Sequence, residues 1–276
     1  MRAKSLRRQQ RPSTEAGKAN WWWALSPLVR LRPVAFIAVL LTVWQVAVNR
    51  HPGQLLPGPW GVLRGIGDLL HHGLLLKYVV ASLFRVTWGF LLAAVIAIPL
   101  GLTIGWYRRS EMAFNPLVQV FRPISPLAWI PIAILWFGVG DLAAIFLIFV
   151  GCFFPLLVTA MSAVHNVPSV YVNVGRNFGL NTADFLYRVL YPAVVPQLII
   201  GSRITLGIAW LVVVAAEMIA VNSGLGFLIV DARNAGNRYD LVIGGMVIIG
   251  TIGLLLDSGM RSLERVKSFR WGYSEN

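Results

Sequence analysis

Three charged side chains stand inside long apolar stretches of this sequence. Arg85, Arg203 and Glu217 have mainly aliphatic neighbours, and a charge in the middle of a membrane helix costs about 3 kcal/mol on insertion scales. An arginine in such a place can pair bidentately with a carboxylate or sulfonate group of a substrate. For Arg85 the alternative is snorkelling or helix pairing. For Arg203 the alternatives are a water-filled pathway or pairing with a carbonyl or an acid near the helix end.

A glycine-rich segment follows Glu217. We interpret Glu217 either as a gate or inter-subunit contact, or as a structural acceptor for the amides of residues 222–226. Gly224 and Gly226 allow either a re-entrant turn beside a pathway or a plain surface turn. Because an acid repels an anion, Glu217 is not predicted to bind an anionic ligand. The candidate pathway or gating residues are Arg85, Arg203, Glu217, Ser223, Gly224 and Gly226.

The sequence shows no arrangement that is typical of catalysis or of metal binding. Its four histidines are scattered and lack the spacing of zinc ligands. No Ser/His/Asp or Cys/His combination stands out, and the phosphate-binding pattern G-x-x-x-x-G-K-[ST] is absent. The single cysteine, Cys152, lies in an apolar stretch and is interpreted as a packing residue. We predict no enzyme activity, no catalytic or metal-binding residue and no cofactor in this chain.

The composition predicts an all-α integral membrane protein. Hydrophobic residues make up 57% of the 276 residues and charged residues 13%, too little charge for the surface of a soluble domain. The apolar residues form long uninterrupted stretches rather than the alternating pattern of barrel strands, and a helix needs about 20 of them to cross a bilayer. We predict about six transmembrane helices, roughly at 33–49, 79–106, 116–137, 142–164, 193–216 and 241–256.

The stretches between the predicted spans are polar or rich in helix-breaking residues. Residues 50–78 are predicted to be a loop because proline and glycine cluster near its start. A basic loop is expected at 107–122, a tight turn at Gly138 and Gly140, and a mixed connection at 217–240. Pro99 and Pro155 are expected to kink the second and fourth spans.

Basic residues concentrate at the span ends and give a net charge of +13. Eight of them lie in residues 1–32, next to the tryptophans at 21–23, a pattern typical of a cytoplasmic anchor near anionic lipid rather than of nucleic-acid binding. Near the span ends, Lys and Arg number twelve on the side of the termini and of residues 165–192, against five on the other side. The positive-inside rule then predicts a multi-pass membrane protein with both termini and residues 165–192 in the cytoplasm.

We predict four segments along the chain. They are a basic cytoplasmic N-terminal tail over 1–32, a first transmembrane helix with a periplasmic loop over 33–77, a core transmembrane domain over 78–258 and a basic cytoplasmic tail over 259–276. No internal repeat and no second soluble domain is visible in the sequence.

The polar segment 165–192 is predicted to form a short helix–turn–helix on the cytoplasmic face, between spans 4 and 5. Valines at 167, 170 and 174 share one helix face with Phe178, and Gly179 ends that helix. Either Asn181 or Thr182 caps a second helix, which Pro192 ends before the fifth span begins. A rigid amphipathic feature in this place suits the docking of a soluble partner.

This segment resembles the EAA loop of permease subunits in binding-protein-dependent ATP-binding-cassette (ABC) importers. The EAA pattern is E-A-A, three residues, Gly, nine residues and I-x-L-P. Gly179 and Pro192 match it with the correct spacing and Val189 stands for Ile, whereas residues 173–175 (NVG) replace E-A-A and Tyr191 stands where Leu is usual. The resemblance implies an ATPase-coupling loop that contains Asn173, Val174, Gly175, Gly179, Val189 and Pro192.

Three further stretches resemble the nitrate, taurine and alkanesulfonate branch of this family. They are the opening of the core domain at 82–86 (SLFRV), 89–90 (GF) and 99–101 (PLG), the third span at 131–138 (PIAILWFG), and the pair 216–220 (AEMIA) and 223–226 (SGLG). Together these stretches cover about residues 78–265. The combination is more specific than any one motif.

The resemblance implies a permease subunit of an importer for a small anion, namely an alkanesulfonate, taurine or nitrate. A cationic thiamine precursor is the alternative substrate. The implied partners are a periplasmic substrate-binding protein, two ATPase subunits that bind the ATP, and a second permease copy in a homodimer. The implied location is the lipid bilayer of the bacterial inner membrane. ATP-driven closure would then rock the spans between inward-open and outward-open states.

Two other functions stay open at this point. A self-sufficient secondary transporter or channel would be indicated by inverted repeats and several intramembrane acids. A membrane enzyme would need catalytic groups clustered at one membrane depth. Neither pattern is visible in the sequence.

Overall fold

The computed structural model describes residues 26–50, 56–234 and 236–264. The predicted tryptophan anchor and most of the two predicted basic tails lie outside these residues. The chain divides into two compact units, Met1–Gln54 and Leu55–Asn276. Within the described ranges the regular structure is entirely helical, which confirms the predicted all-α class.

The first unit contains one described helix, α1 (Ser26–Arg50). It covers the predicted first span at 33–49 and begins seven residues earlier, so the predicted tail at 1–32 ends in a helix. The apolar part of α1 is Ala35–Arg50.

The second unit contains ten described helices, joined by short connections. They are α2 (Pro59–His71), α3 (Leu74–Trp106), α4 (Arg108–Phe121), α5 (Ile130–Phe137), α6 (Asp141–His165), α7 (Ser169–Asn177), α8 (Thr182–Phe185), α9 (Tyr191–Ile219), α10 (Leu225–Asn234) and α11 (Tyr239–Glu264). Four helices are long and apolar enough to cross a membrane: α3, α6, the continuous helix Ala183–Ile219 and α11. The bent pair of α4 and the helix that starts at Pro126 makes a fifth if it is counted as one span. The number of six therefore stays a prediction.

The densest packing in the core joins α3 to α6. Along α3, small buried residues recur every fourth position at Gly89, Ala93, Ala97, Gly101 and Gly105. This spacing places them on one stripe, where small side chains let two helix backbones approach closely. A Cβ atom on Gly101 would lie 2.6 Å from both the Cβ of Ala160 and the carbonyl oxygen of Leu157.

The prediction of one continuous third span at 116–137 is wrong. A helix ends at Phe121 and another starts at Pro126, and their axes are bent by 84°. Pro123 and Pro126 lack the N–H that would continue the hydrogen-bond ladder, and each disfavours helical geometry in the residue before it. The hydroxyl of Ser125 accepts a hydrogen bond from the N–H of Leu127 (3.3 Å) and so begins the second helix.

Three segments between the predicted spans, two of them predicted to be loops and the third a mixed connection, contain helices. The 50–78 segment contains α2 because Pro59 stands at the first helical position, where a missing N–H costs nothing. The 107–122 segment is α4, separated from α3 by Tyr107 alone. The 217–240 segment contains α10, whose buried Leu225, Leu228, Ile229 and Ala232 recur at helical spacing. The tight turn before α6 is confirmed, and Gly138 adopts a positive φ of 73° in it.

The prediction that Pro192 ends a helix is also wrong. A π-helical turn, Leu186–Leu190, follows α8 and continues directly into α9. Pro192 is the second residue of α9, and the wider π turn before it accommodates the missing backbone N–H. The second helix of the helix–turn–helix is therefore an N-terminal extension of the fifth predicted span.

Candidate functional site

Five residues that were singled out separately in the sequence come together in one buried cluster. Arg85 of α3 is 2% exposed and Glu217, in the last turn of α9, is 0% exposed. The connection from α9 to α10 folds over them and supplies Ser223 and Gly224, and α10 supplies Gly226.

The guanidinium of Arg85 is engaged at all three of its nitrogens. Nη1 donates to Glu217 Oε1 (2.7 Å) and to the carbonyl oxygen of Ser223 (2.7 Å). Nε donates to Asp141 Oδ1 (2.8 Å), and Nη2 lies 2.7 Å from the same oxygen. Nη2 also donates to the hydroxyl of Ser223. In this conformation no guanidinium nitrogen is left over for an anionic ligand, which favours helix pairing by Arg85.

The carboxylate of Glu217 is equally well satisfied. Its Oε2 accepts hydrogen bonds from the hydroxyl of Ser82 (2.9 Å) and from the backbone N–H of Gly226 (2.9 Å). The hydroxyl of Ser82 accepts in turn from the N–H of Leu225 (3.0 Å). This geometry matches the interpretation of Glu217 as an acceptor for the amides of the following loop.

Burial makes this cluster sensitive to the loss of Arg85 or Glu217, the two charges that are removed from water. Removing two charges from water is strongly unfavourable. This desolvation energy is offset only when the two charges are close to each other and their remaining hydrogen-bonding groups are satisfied. Here both conditions hold, and the pair joins α3, α9 and α10. Asp141, at the start of α6, contributes a second acid whose side chain is 57% exposed. The cluster therefore links α3 to the start of α6, the end of α9 and the start of α10.

Gly224 and Gly226 are needed because the backbone passes so close to Glu217. Gly224 has a φ of 103°, and a Cβ atom there would lie 2.2 Å from Glu217 Oε1. A Cβ atom on Gly226 would lie 2.2 Å from the carbonyl oxygen of Val214. The glycines thus form a turn that packs into the protein, rather than a plain surface turn.

Sequence reasoning missed two members of the cluster, Ser82 and Asp141. Ser82 lies three residues before Arg85 and hence on the same face of α3, which is a local signal. Asp141 is the first residue of α6 after a glycine turn, a position that suggests a role in starting a helix. Its contact with Arg85 spans 56 residues and has no local signal.

Arg203 lies apart from this cluster. Its Nε and Nη2 donate to the two carboxylate oxygens of Asp257 on α11, at 2.6 and 3.1 Å. Arg261 donates to Asp257 Oδ2 at 2.9 Å, as expected from the i,i+4 spacing. The structure therefore pairs Arg203 with an acid. This is the second of the two interpretations made from the sequence, the first being a position in a water-filled pathway.

The predicted coupling loop is a helix–turn–helix with a glycine at its corner. Gly179 has a φ of 65°, and the N–H of Leu180 donates to the carbonyl oxygen of Gly175 (3.2 Å), the arrangement of a Schellman motif. The side chain of Asn181 accepts from the N–H of Asp184 (2.7 Å) and caps α8. Of the two predicted caps, Asn181 is thus the observed one.

The two helices of this loop expose different amounts of apolar surface. Phe185 and Leu190 are buried, at 6% and 3% exposure, with Val189 packed against them. In contrast, Val170 on α7 is 63% exposed, and Phe178, the residue directly after α7, is 80% exposed. α7 therefore presents an apolar face that no described residue of the chain covers.

The Gly179 turn yields a first testable prediction. Gly179→Ala is expected to lower the free energy of unfolding by about 1–2 kcal/mol, because a non-glycine residue pays about this amount in a left-handed conformation. A Cβ atom there meets no other atom within 4 Å, so strain at φ is the only expected cause. Gly179→Asn is the control, since asparagine tolerates this conformation. Thermal denaturation of the purified chain measures the difference, and equal losses for the two variants would contradict the explanation.

Comparisons with known proteins agree with this architecture. Residues 97–267 match the protein family described as binding-protein-dependent transport system inner membrane component. The nitrate import permease protein NrtB of Synechocystis sp. is 38% identical over 249 residues, which cover 87% of this chain and 89% of NrtB. The taurine transport system permease protein TauC of Escherichia coli is 34% identical over 257 residues, or 90% and 92% of the two chains.

The fold is also similar to a solved structure. An inward-facing conformation of the MetNI methionine ABC transporter superposes with a TM-score of 0.61 at 20% sequence identity, covering 70% of this chain and 95% of the matched chain. At that identity the likeness concerns the fold. The family match and the two permease relatives, each aligned over most of its length, go further: this chain belongs to the binding-protein-dependent transport system inner membrane components and is a membrane-spanning permease subunit of an ABC importer.

Proposed function

We propose that this chain forms the translocation pathway for a small anion of the alkanesulfonate, taurine or nitrate class. Relatives that align over most of their length carry out nitrate import and taurine transport. The net charge of +13 is compatible with an anionic cargo. A self-sufficient transporter is the less favoured alternative, because it leaves the exposed face of α7 without a purpose.

The assembly that we propose has two permease copies in the inner membrane, two ATPase subunits that bind ATP, and a periplasmic binding protein that delivers the substrate. Six spans result if α1 and the bent α4–α5 pair each cross the bilayer. Both termini and the 165–192 loop then face the cytoplasm, which is the side with the larger number of basic residues near the span ends. The predicted core domain, 78–258, would carry the pathway.

The exposed apolar face of α7 is the observation that carries the proposed contact with the ATPase. Val170, Val174 and Phe178 are 63%, 45% and 80% exposed and follow one another at i, i+4 and i+8. Polar neighbours such as Asn173 and Asn177 share this short helix, which is unlike a lipid-facing span. An apolar stripe on a short amphipathic helix is the shape that docks into a groove of a soluble protein. Asn173, Val174 and Gly175 would lie within that contact.

The predicted coupling loop also contacts the end of α3, and this contact could transmit movement to the spans. The ring of Phe185 lies 5.1 Å from the ring of Trp106 at the end of α3. On its other side, a Cβ atom on Gly175 would lie 2.5 Å from Phe185 Cδ2. Because α7, α8 and α3 meet at this one ring without free space, a push on α7 would move α3 as a rigid body.

The docking proposal predicts the effect of a charge at Phe178, directly after α7. Phe178→Glu is expected to reduce the amount of ATPase subunit that co-purifies with the chain by roughly thirtyfold, since an aromatic anchor in an interface is worth about 2 kcal/mol or more. Phe178→Leu is the matched control, because it keeps the apolar contact and should retain most of the ATPase. The side chain is exposed, so neither variant should lower the denaturation midpoint of the chain alone.

Reconstitution tests the transport function itself. Proteoliposomes that contain the chain, its ATPase and its binding protein should accumulate radiolabelled taurine, an alkanesulfonate or nitrate only when ATP is supplied. Uptake by the chain alone, driven by an ion gradient, would contradict the proposal in favour of a secondary transporter. ATP-dependent uptake of a cationic thiamine precursor instead would keep the importer and overturn the anionic substrate class.

A further inference from the structure

The break in the third predicted span lies near the middle of the membrane. The ring of Phe121, the last residue of α4, stacks on Phe154 of α6 at 5.8 Å. On the other side of the break, a Cβ atom on Gly151 would lie 3.1 Å from Cγ of Pro126. Both α6 residues lie near the midpoint of a span that runs from Asp141 to His165. Residues 122–125 are therefore at mid-depth, about as far from one membrane surface as from the other.

A cation, Arg122, occupies this break. Its side chain is exposed on the isolated chain. Within residues 26–50, 56–234 and 236–264 its guanidinium makes no hydrogen bond and no ion pair. The other two arginines that stand inside apolar spans differ, because Arg85 is bound by Glu217 and Asp141, and Arg203 is bound by Asp257.

A charge at this depth cannot face lipid without a large cost. Arginine, lysine and aspartate at the centre of a membrane helix cost about 3 kcal/mol or more, so such groups face protein or a water-filled cavity. Irregular backbone at membrane depth is likewise tolerated where it lines a cavity or is buried in protein. The break and its arginine thus satisfy two independent criteria for a position on an aqueous pathway.

Two amides extend the polar surface from Arg122 along α4. Asn115, Gln119 and Arg122 follow at i, i+4 and i+7 and so share one side of the helix. Gln119 Nε2 donates to Asn115 Oδ1 at 3.3 Å, which leaves a second amide hydrogen and an amide oxygen on Gln119. Val118, next to this stripe, is the one buried residue of α4, so the stripe borders the protein interior.

We infer that Arg122, together with the amide of Gln119, contacts the anionic group of the substrate at the midpoint of the pathway. A guanidinium presents paired N–H donors that match two oxygens of a sulfonate, nitrate or carboxylate, and the amide adds a neutral donor. Discontinuous helices at the bilayer midplane are a recurrent place for substrate contacts in transporters. This inference rests on the proposed function, because it assigns a site to the anion that the proposed importer carries.

Transport by the complete complex tests the inference. With permease, ATPase and binding protein in proteoliposomes, Arg122→Gln is expected to lower ATP-dependent uptake of taurine or nitrate at least about tenfold, the loss expected for one charge-assisted contact. Arg122→Lys, which keeps the charge but not the paired donors, should retain an intermediate rate. Arg109→Gln is the matched control, since it removes the same charge from the same helix at its exposed start, and its uptake should equal wild type.

A second measurement does not depend on the identity of the substrate. In a Cys152→Ala background, Arg122→Cys should react with a membrane-impermeant thiosulfonate reagent that carries a sulfonate group. Val95→Cys, at a 70% exposed apolar position on α3, should not react if it faces lipid. Taurine or nitrate present during delivery by the binding protein should slow the reaction at position 122.

The outcomes separate the two proposals. If wild type transports an anion but Arg122→Gln does so equally well, the inference is overturned and the importer function stands. Failure of Arg122→Cys to react, like Val95→Cys, also overturns it, because the position would then face lipid or a subunit contact. A loss of permease dimer or of ATPase in Arg122→Gln would show a role in assembly and overturn it as well. If wild type transports no anion of this class, the proposed function and the inference fail together.

Discussion

Glu217→Ala is expected to lower the free energy of unfolding of the chain by about 3–5 kcal/mol, the cost of leaving a buried charge without its partner. The variant keeps Arg85 in a site where it is 2% exposed but removes the acid that accepts its 2.7 Å bond. It also removes the acceptor for Ser82 and for the N–H of Gly226. The measurement is the thermal midpoint of the purified chain in detergent, followed by loss of the monodisperse peak in size-exclusion chromatography.

Asp141→Ala is the matched control for this prediction, because it removes the other acid from the same arginine. The side chain of Asp141 is 57% exposed, and exposed ion pairs contribute about 0–1 kcal/mol. The structure therefore predicts a large loss from one acid and a small loss from the other, although both lie about equally close to Arg85. Equal losses would contradict the explanation by burial.

A double variant distinguishes structure from gating. Arg85→Met combined with Glu217→Leu replaces the buried pair by apolar side chains, which is often neutral or stabilising when the volume is preserved. The double variant should therefore be more stable than Glu217→Ala, a non-additivity that a double-mutant cycle quantifies. If the stability returns and transport does not, the Arg85–Glu217 pair also takes part in gating, the role suggested for Glu217 from the sequence. A double variant less stable than Glu217→Ala would count against the buried-pair account.

The features predicted correctly from the sequence are those that depend on residues close together along the chain. The apolar stretches located α3, α6, α9 and α11, because a spanning helix must bury about 20 residues in succession. The corner at Gly179 followed from one glycine and its spacing, since a Schellman motif closes its hydrogen bonds within six residues. Cys152 was interpreted correctly as a packing residue and is 0% exposed.

The errors in helix boundaries arose because prolines were interpreted as helix breakers without regard to their position along a helix. Pro59 and Pro192 were both taken as helix breakers. Pro59 instead stands at the first position of α2, where proline is tolerated, and Pro192 lies inside the continuous helix Ala183–Ile219, shortly after a π-helical turn. Pro123 and Pro126 lie in the middle of an apolar stretch, and there proline did break the span. The hydrophobic pattern alone does not distinguish a proline that a helix accommodates from a proline that breaks a span.

The buried cluster could be predicted as a set of unusual residues but not as a site. Arg85, Glu217 and Ser223 each stood out as polar or flexible positions near apolar spans. Their contacts join residues 132 and 138 positions apart, and no local pattern encodes such distances. Arg122 was not chosen as a site residue, because a charge directly before a proline resembles a loop residue until the break is found at mid-depth. The relevant information was the register between α4 and α6, which only the packing supplies.

The last prediction concerns that packing. Gly101→Leu is expected to prevent the close approach of α3 and α6 and to destabilise the fold by more than about 3 kcal/mol, beyond the 1–3 kcal/mol usual for overpacking. The Cβ atom alone would lie 2.6 Å from the carbonyl oxygen of Leu157, and a backbone atom cannot rotate away as a side chain can. A shift of the whole of α6 would be required, which would also disturb the contacts of Gly89 and Gly105 along the same stripe.

Thr103→Leu provides the matched control, since it introduces the same side chain two residues further along the same helix. Thr103 is exposed, and its hydroxyl bonds only within α3, to the carbonyl oxygen of Leu100 at 2.8 Å. In a membrane protein an exposed leucine at this position is favourable or neutral, so the thermal midpoint in detergent should stay within a few degrees of wild type. A wild-type midpoint for Gly101→Leu would mean that α3 and α6 can separate without cost. The rigid-body coupling proposed from α7 through Phe185 to α3 would then lose its support, because a helix that slides freely on its neighbour cannot transmit a push across the membrane.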